Sequence, residues 1–229
     1  MLRRLIYMII ITLLALSGCS KQPQGHGQPQ SHPQEKLQPQ GQVQSQSQPQ
    51  GQPQTDIYFP KGSNGSQWEY GVRYSTPEGV QMGGMLIQIS GEETINGKTY
   101  YKQITITKGI PGAGAHVSYN RRAKEGIYKI DDNTITRQEY LTTPFPMKVG
   151  TMWTAKTSQG HTQFKAEKIE TVELNDKKYV NCLKVSFLTD KGSQHFEGIS
   201  YFAPGIGEVY SLLNLGKVKV DYALVRYKL

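Results

Sequence analysis

TINGKTYYKQITI, residues 94–106, decides how the folded part of this chain is read. Asn96-Gly97 is a two-residue turn signal, because both residues tolerate the positive φ that a tight hairpin requires. On either side, apolar and polar residues alternate, and β-branched and aromatic side chains are frequent. That is the pattern of strands burying one face. The stretch predicts two antiparallel strands and a tight turn. ELNDKKYVNCLKV, 173–185, repeats it 79 residues later, turn with turn and tyrosine with tyrosine.

The same reading extends outward. QWEYGVRYS (67–75), GMLIQIS (84–90), KTYYKQITIT (98–107), HTQFKAEKIETVEL (161–174), KKYVNCLKVSFL (177–188) and KVKVDYALVRYKL (217–229) all read as strands. Asn175-Asp176 and Asp131-Asp132-Asn133 are further turn signals, and no helical period is sustained. About ten to twelve antiparallel strands with short loops are expected. YFPKGSNGSQWEY (58–70) is echoed by PFPMKVGTMWTAK (144–156), and GIYKI (126–130) more faintly by GEVYSLL (207–213). The order is kept, so a β unit of about 80 residues is read as duplicated. The expectation is an all-β domain over 56–229, with halves of about 56–140 and 141–229. It should form one antiparallel curved sheet or barrel-like domain, since closure removes exposed edges. No low-complexity linker separates the halves.

Residues 56–229 hold 22 of the 26 Lys and Arg and 17 of the 18 Asp and Glu, a mildly basic and dispersed balance. Weak attraction to anionic headgroups or wall polymers follows, and nothing compact argues for nucleic acid. Cys182 lies between apolar residues in YVNCLKVSF and reads as a small buried side chain.

The start of the chain has a different character. Arg3 and Arg4 precede the twelve-residue apolar run Leu5–Leu16. As a helix this run would span about 18 Å, too short for a bilayer core of about 30 Å but suited to a signal-peptide core. Leu16-Ser17-Gly18-Cys19 follows and resembles the lipobox of bacterial lipoproteins. The resemblance implies that 1–18 is a signal peptide, cleaved between Gly18 and Cys19, with a diacylglyceryl group on the Cys19 thiol. Two or more acyl chains make a stable anchor. With Cys19 lipidated, Cys182 has no partner for an internal disulfide. Residues 19–55 are then the lipidated cysteine and a Gln/Pro tract, including QPQGQVQSQSQPQGQPQ (38–54). Such a composition cannot bury enough surface to fold, so a disordered tether is expected. The implied location is the cell membrane, lipid-anchored and facing the extracytoplasmic side. In a two-membrane cell, the absence of aspartate after Cys19 favours the periplasmic face of the outer membrane.

FPMKVGTMW (145–153), YVNCLKV (179–185) and YFAPGIGEV (201–209) resemble a recurrent pattern of bacterial exported proteins and lipoproteins without assigned enzyme activity. That resemblance implies an envelope β domain and no mechanism. In physical terms, Pro204-Gly205-Ile206-Gly207 is a turn expected to lead Tyr201 and Phe202 into the next strand.

The residues do not spell out catalysis. His116, His161 and His195 have no ligand spacing, no G-x-S-x-G is present, and Asp131-Asp132-Asn133 lacks the alternating oxygens of a calcium loop. No metal, cofactor or enzyme activity is expected. KGIPGAGAH (108–116), soon followed by Arg121 and Arg122, predicts a mobile loop with a secondary reading as an anion contact. Trp68, Trp153 and Tyr201, with Arg121 and Arg122, are the candidate binding residues, and the tryptophans read equally as core plugs. The expected function is non-catalytic: binding or scaffolding an envelope protein or wall polymer. The alternative is a carrier or sensor of lipids or other apolar ligands.

Overall fold

The computed structural model describes residues 57–60, 62–131, 138–157, 160–191 and 194–229. The signal peptide, Cys19, the tether and the Asp132-Asn133 turn lie outside the described residues. Twelve strands follow one another: β1 (Gln67–Thr76), β2 (Gly79–Ile95), β3 (Lys98–Lys108), β4 (Gly114–Ala123), β5 (Gly126–Asp131), β6 (Tyr140–Pro144), β7 (Met152–Thr157), β8 (Gly160–Leu174), β9 (Lys177–Lys191), β10 (Gln194–Ala203), β11 (Gly207–Asn214) and β12 (Lys219–Lys228). They form one sheet in the order β6-β5-β4-β3-β2-β1-β12-β11-β10-β9-β8-β7. Every pairing is antiparallel.

The first and last strands meet, because β1 pairs with β12 from Gln67 opposite Lys228 to Ser75 opposite Lys219. The two ends of the sheet, β6 and β7, lie side by side without a ladder among the described residues. Trp153 spans this seam by donating its indole N–H to the Thr142 carbonyl at 2.8 Å. The result is a nearly closed, barrel-like sheet, as expected of an all-β chain that hides its edges.

The turn chemistry acts where the sequence placed it. Asn96 and Gly97 join β2 to β3 at φ 51° and 75°, and Asn175 and Asp176 join β8 to β9 at φ 50° and 61°. These hairpins lie six strands apart, as do Trp68 on β1 and Trp153 on β7, and GIYKI on β5 and the segment forming β11.

One expectation needs correction. Of the loop expected over 108–116, Lys108 ends β3 and Gly114–His116 belong to β4, because Gly114 onward pairs with Thr107 and its neighbours on β3. Only Gly109–Ala113 turns the chain there. The Pro204–Ile206 turn leads from β10, which holds Tyr201 and Phe202, into the next strand, β11, as expected.

Alternation sets the inner face. Trp68, Tyr70, Val72 and Tyr74 of β1 are buried, with Met85, Ile87 and Ile89 of β2 and Val220, Tyr222 and Leu224 of β12. Phe59, Phe164, Leu183, Val185, Phe187 and Phe202 join them in one cluster. Phe187 needs space on the neighbouring strand, and Gly198 provides it: a Cβ there would lie 2.1 Å from the Phe187 ring.

Candidate functional site

The inner face changes character along the sheet. In β3 the alternation puts Gln103, Thr105 and Thr107 inside, while Ile104 and Ile106 are half exposed on the outside. Directly opposed strand residues share a face. Gln103 faces Ser118, which faces Asp131, and Tyr101 faces Asn120, Lys129 and Tyr140 in turn. A polar inner wall therefore covers β3, β4 and β5. The Lys129 ammonium lies 2.9 Å from Asp131 Oδ1, His116 Nε2 lies 3.5 Å from the same oxygen, and Tyr140 donates to Asp131 Oδ2 at 2.6 Å. Burial alone pushes the Asp131 carboxyl up, but the Lys129 charge and these hydrogen bonds outweigh it and hold Asp131 well below the usual carboxylate range. Beside it, Asn120 donates to Gln103 Oε1 at 3.0 Å. This network locks an ionised carboxylate in place.

A second buried polar group lies on the apolar side. Glu208 of β11 is 1% exposed, and its carboxyl has no charged partner among the described residues, only the Ser200 and Tyr222 hydroxyls beside it. Its backbone carbonyl accepts from the Tyr70 hydroxyl at 3.0 Å. Burial pushes the Glu208 carboxyl up to about 8, against a smaller opposite pull from the Ser200 and Tyr222 hydroxyls. The group is therefore largely neutral at pH 7, which is the way a carboxyl survives in an apolar setting.

The outer face of β7–β12 carries an open groove of about 500 Å³. Cross-strand register builds it from two rows. Leu212, Ile199, Ser186, Lys165 and Met152 stand opposite one another on successive strands. So do Lys219, Asn214, Glu197, Leu188 and Gln163. Tyr210 and Tyr201 form the next rung, their ring centroids 6.2 Å apart. The apolar residues of this surface are exposed or half-buried, with Met152 at 69% and Leu188 at 40%. Lys165 pairs with Glu167 and Asn214 donates to Glu197, whereas Lys219 has no ion pair among the described residues.

The five candidates from the sequence do not come together. Trp68 is 1% exposed and donates to the Ile206 carbonyl at 2.8 Å, so it is a core residue with no surface to offer a partner. Trp153 is half-buried at the seam, stacked on Phe164 at 4.9 Å. Arg121 is bonded to Glu139 and lies over the Tyr128 ring at 4.6 Å. Arg122 donates to the Phe59 carbonyl at 2.7 Å and lies over the Phe145 ring at 4.7 Å. The two arginines thus point to opposite faces and hold the fold. Tyr201 alone borders the groove, beside Lys184 at 6.0 Å. Its hydroxyl is pushed up to about 12 by burial and then by Glu170.

Sequence reasoning missed both the polar wall and the groove. The signal for the wall is the run QITIT, whose polar residues share one parity. Parity alone does not tell which face is inside. His116 is inside, while the register brings His161 and His195 to either side of Asp190 on the outside. No three His, Cys, Asp or Glu converge as a metal site among the described residues.

No family model and no curated protein matches the chain. Solved structures similar to it in overall shape include two bacterial proteins. One is an exported protein of Bacteroides fragilis described as having a YmcC-like fold, at 13% identity and TM-score 0.46, covering 76% of this chain and 99% of that one. The other is a lipoprotein of Parabacteroides distasonis, at 13% identity and TM-score 0.41, covering 75% of this chain and 98% of that one. Likeness at this level carries no argument about activity or partner.

Proposed function

We propose that the chain is a membrane-anchored lipoprotein of the bacterial cell envelope, whose β domain binds or scaffolds an envelope protein or wall polymer without catalysis. The anchor rests on Leu16-Ser17-Gly18-Cys19 and the tract that follows it. The observation that carries the binding reading is the packed inner face. Trp68, Phe59, Ile87, Leu183 and Phe202 are each 1% exposed or less, in the region where an apolar cargo would have to lie. A carrier of lipids needs that space, and a binding module does not. The groove and the Tyr201–Tyr210 rung give such a module an outer surface to work with.

The test is to extract the full chain from its own envelope in mild detergent and weigh it by native mass spectrometry, with solvent extraction of what accompanies it. The expected result is protein plus its covalent acyl chains. A stoichiometric free lipid or other apolar molecule, retained through detergent exchange, overturns the binding reading in favour of a carrier.

A further inference from the structure

We propose that the outer groove of β7–β12 takes an extended polypeptide segment of an envelope partner, bearing apolar side chains and an acidic residue opposite Lys219. The inference rests on the binding reading above and names the chemistry of its partner.

The two cross-strand rows supply the reasons. Adjacent strands lie about 4.8 Å apart, so a path over the six strands from Met152 on β7 to Lys219 on β12 runs about 24 Å. That is the reach of about seven extended residues. Leu212, Ile199, Leu188 and Met152 give apolar footing along this path. Between them stand Ser186, Glu197, Asn214 and Gln163. An acyl chain laid there would strip water from these polar groups and return no hydrogen bond. A peptide main chain offers an N–H and a C=O at every residue and can satisfy them while its side chains fill the apolar gaps.

Charge selects the partner further. Asp221 is held by Arg73 at 2.8 Å, and Lys165 by Glu167 at 3.1 Å. Glu197 is the groove's anion, held by Asn214 at 3.1 Å, and beyond Asn214 in the same row Lys219 is its cation with no ion pair among the described residues. An acidic side chain, or a terminal carboxylate, is its complement.

The test pans randomised octapeptides on phage against the immobilised full chain, with Lys219→Glu and Leu212→Asp as parallel baits. The wild type is expected to enrich peptides that combine apolar residues with Asp or Glu. Lys219→Glu is expected to reverse the selected charge to Lys or Arg, a gain that an unfolded variant could not show. Leu212→Asp should weaken the chosen wild-type peptides about tenfold or more. Peptides indifferent to the Lys219 reversal, or none enriched over the Leu212→Asp bait, overturn the proposal. So does saturable binding of dodecyl phosphate below its micellar concentration that is lost in Leu212→Asp, with no peptide enriched. Either failure would leave the mass-spectrometric result on bound cargo untouched.

Discussion

The Trp153 indole donates to the Thr142 carbonyl at 2.8 Å, across the one junction of neighbouring strands that the ladder leaves open among the described residues. A side chain here takes the place of backbone pairing. Trp153→Phe keeps most of the ring but removes the donor. It should cost about 1–3 kcal/mol, because the carbonyl is left without its partner. Hydrogen exchange should quicken first in β6 and β7. Unchanged exchange there would mean that the seam is held by something other than this bond.

Trp68 is the other half of that comparison. It is fully buried, so Trp68→Ala should lower stability by about 3–5 kcal/mol in denaturant titration. Trp153→Ala should fall nearer the lower end, since its ring is half-buried. A Trp68→Ala protein with unaltered unfolding would contradict the core assignment.

Glu208 makes the fold sensitive to alkali. Its folded-state pKa of about 8 lies above the ordinary 4.5, so the native state binds the extra proton between those values. Stability from this group is full below about pH 4.5 and is lost as pH rises towards 8, by roughly 4–5 kcal/mol. Glu208→Gln should flatten that decline and raise the melting temperature at pH 8. If the variant declines as steeply as the parent, another group is responsible.

Asp131 works in the opposite direction. Its carboxyl is held low, so its contribution is present above about pH 3.8 and lost as the solution becomes more acid. Lys129→Met breaks the pair and leaves Asp131 buried without its cation, at a cost of about 3–5 kcal/mol. Acid unfolding of the variant should begin at higher pH than in the parent. A variant as acid-resistant as the parent would show that Lys129 is not what holds Asp131 ionised.

Cys182 should be inert. It is fully buried, and burial pushes its thiol up to about 11. A thiol reagent at pH 8 should leave it unmodified until denaturant is added. Rapid labelling of the native protein would place the cysteine at a surface.

Much of the fold was legible in the sequence because it rests on local rules. Asn96-Gly97 and Asn175-Asp176 must turn, and the alternation around them must form strands, whatever surrounds them. The Leu16–Cys19 lipobox reading also depends on contiguous residues alone, and it lies outside the described residues. Tertiary structure decided the rest. Gly114–His116 became part of a strand because β3 was there to pair with them, against a glycine-rich composition that reads as a loop. Lys129, Asp131, His116 and Tyr140 come from three strands and meet only when the sheet curls and puts their face inside. The groove likewise joins residues of β7 through β12 whose separations in the chain carry no period. Periodicity along one strand records which residues share a face. Which face turns inward, and which neighbours stand across it, is set by pairing between strands far apart in sequence.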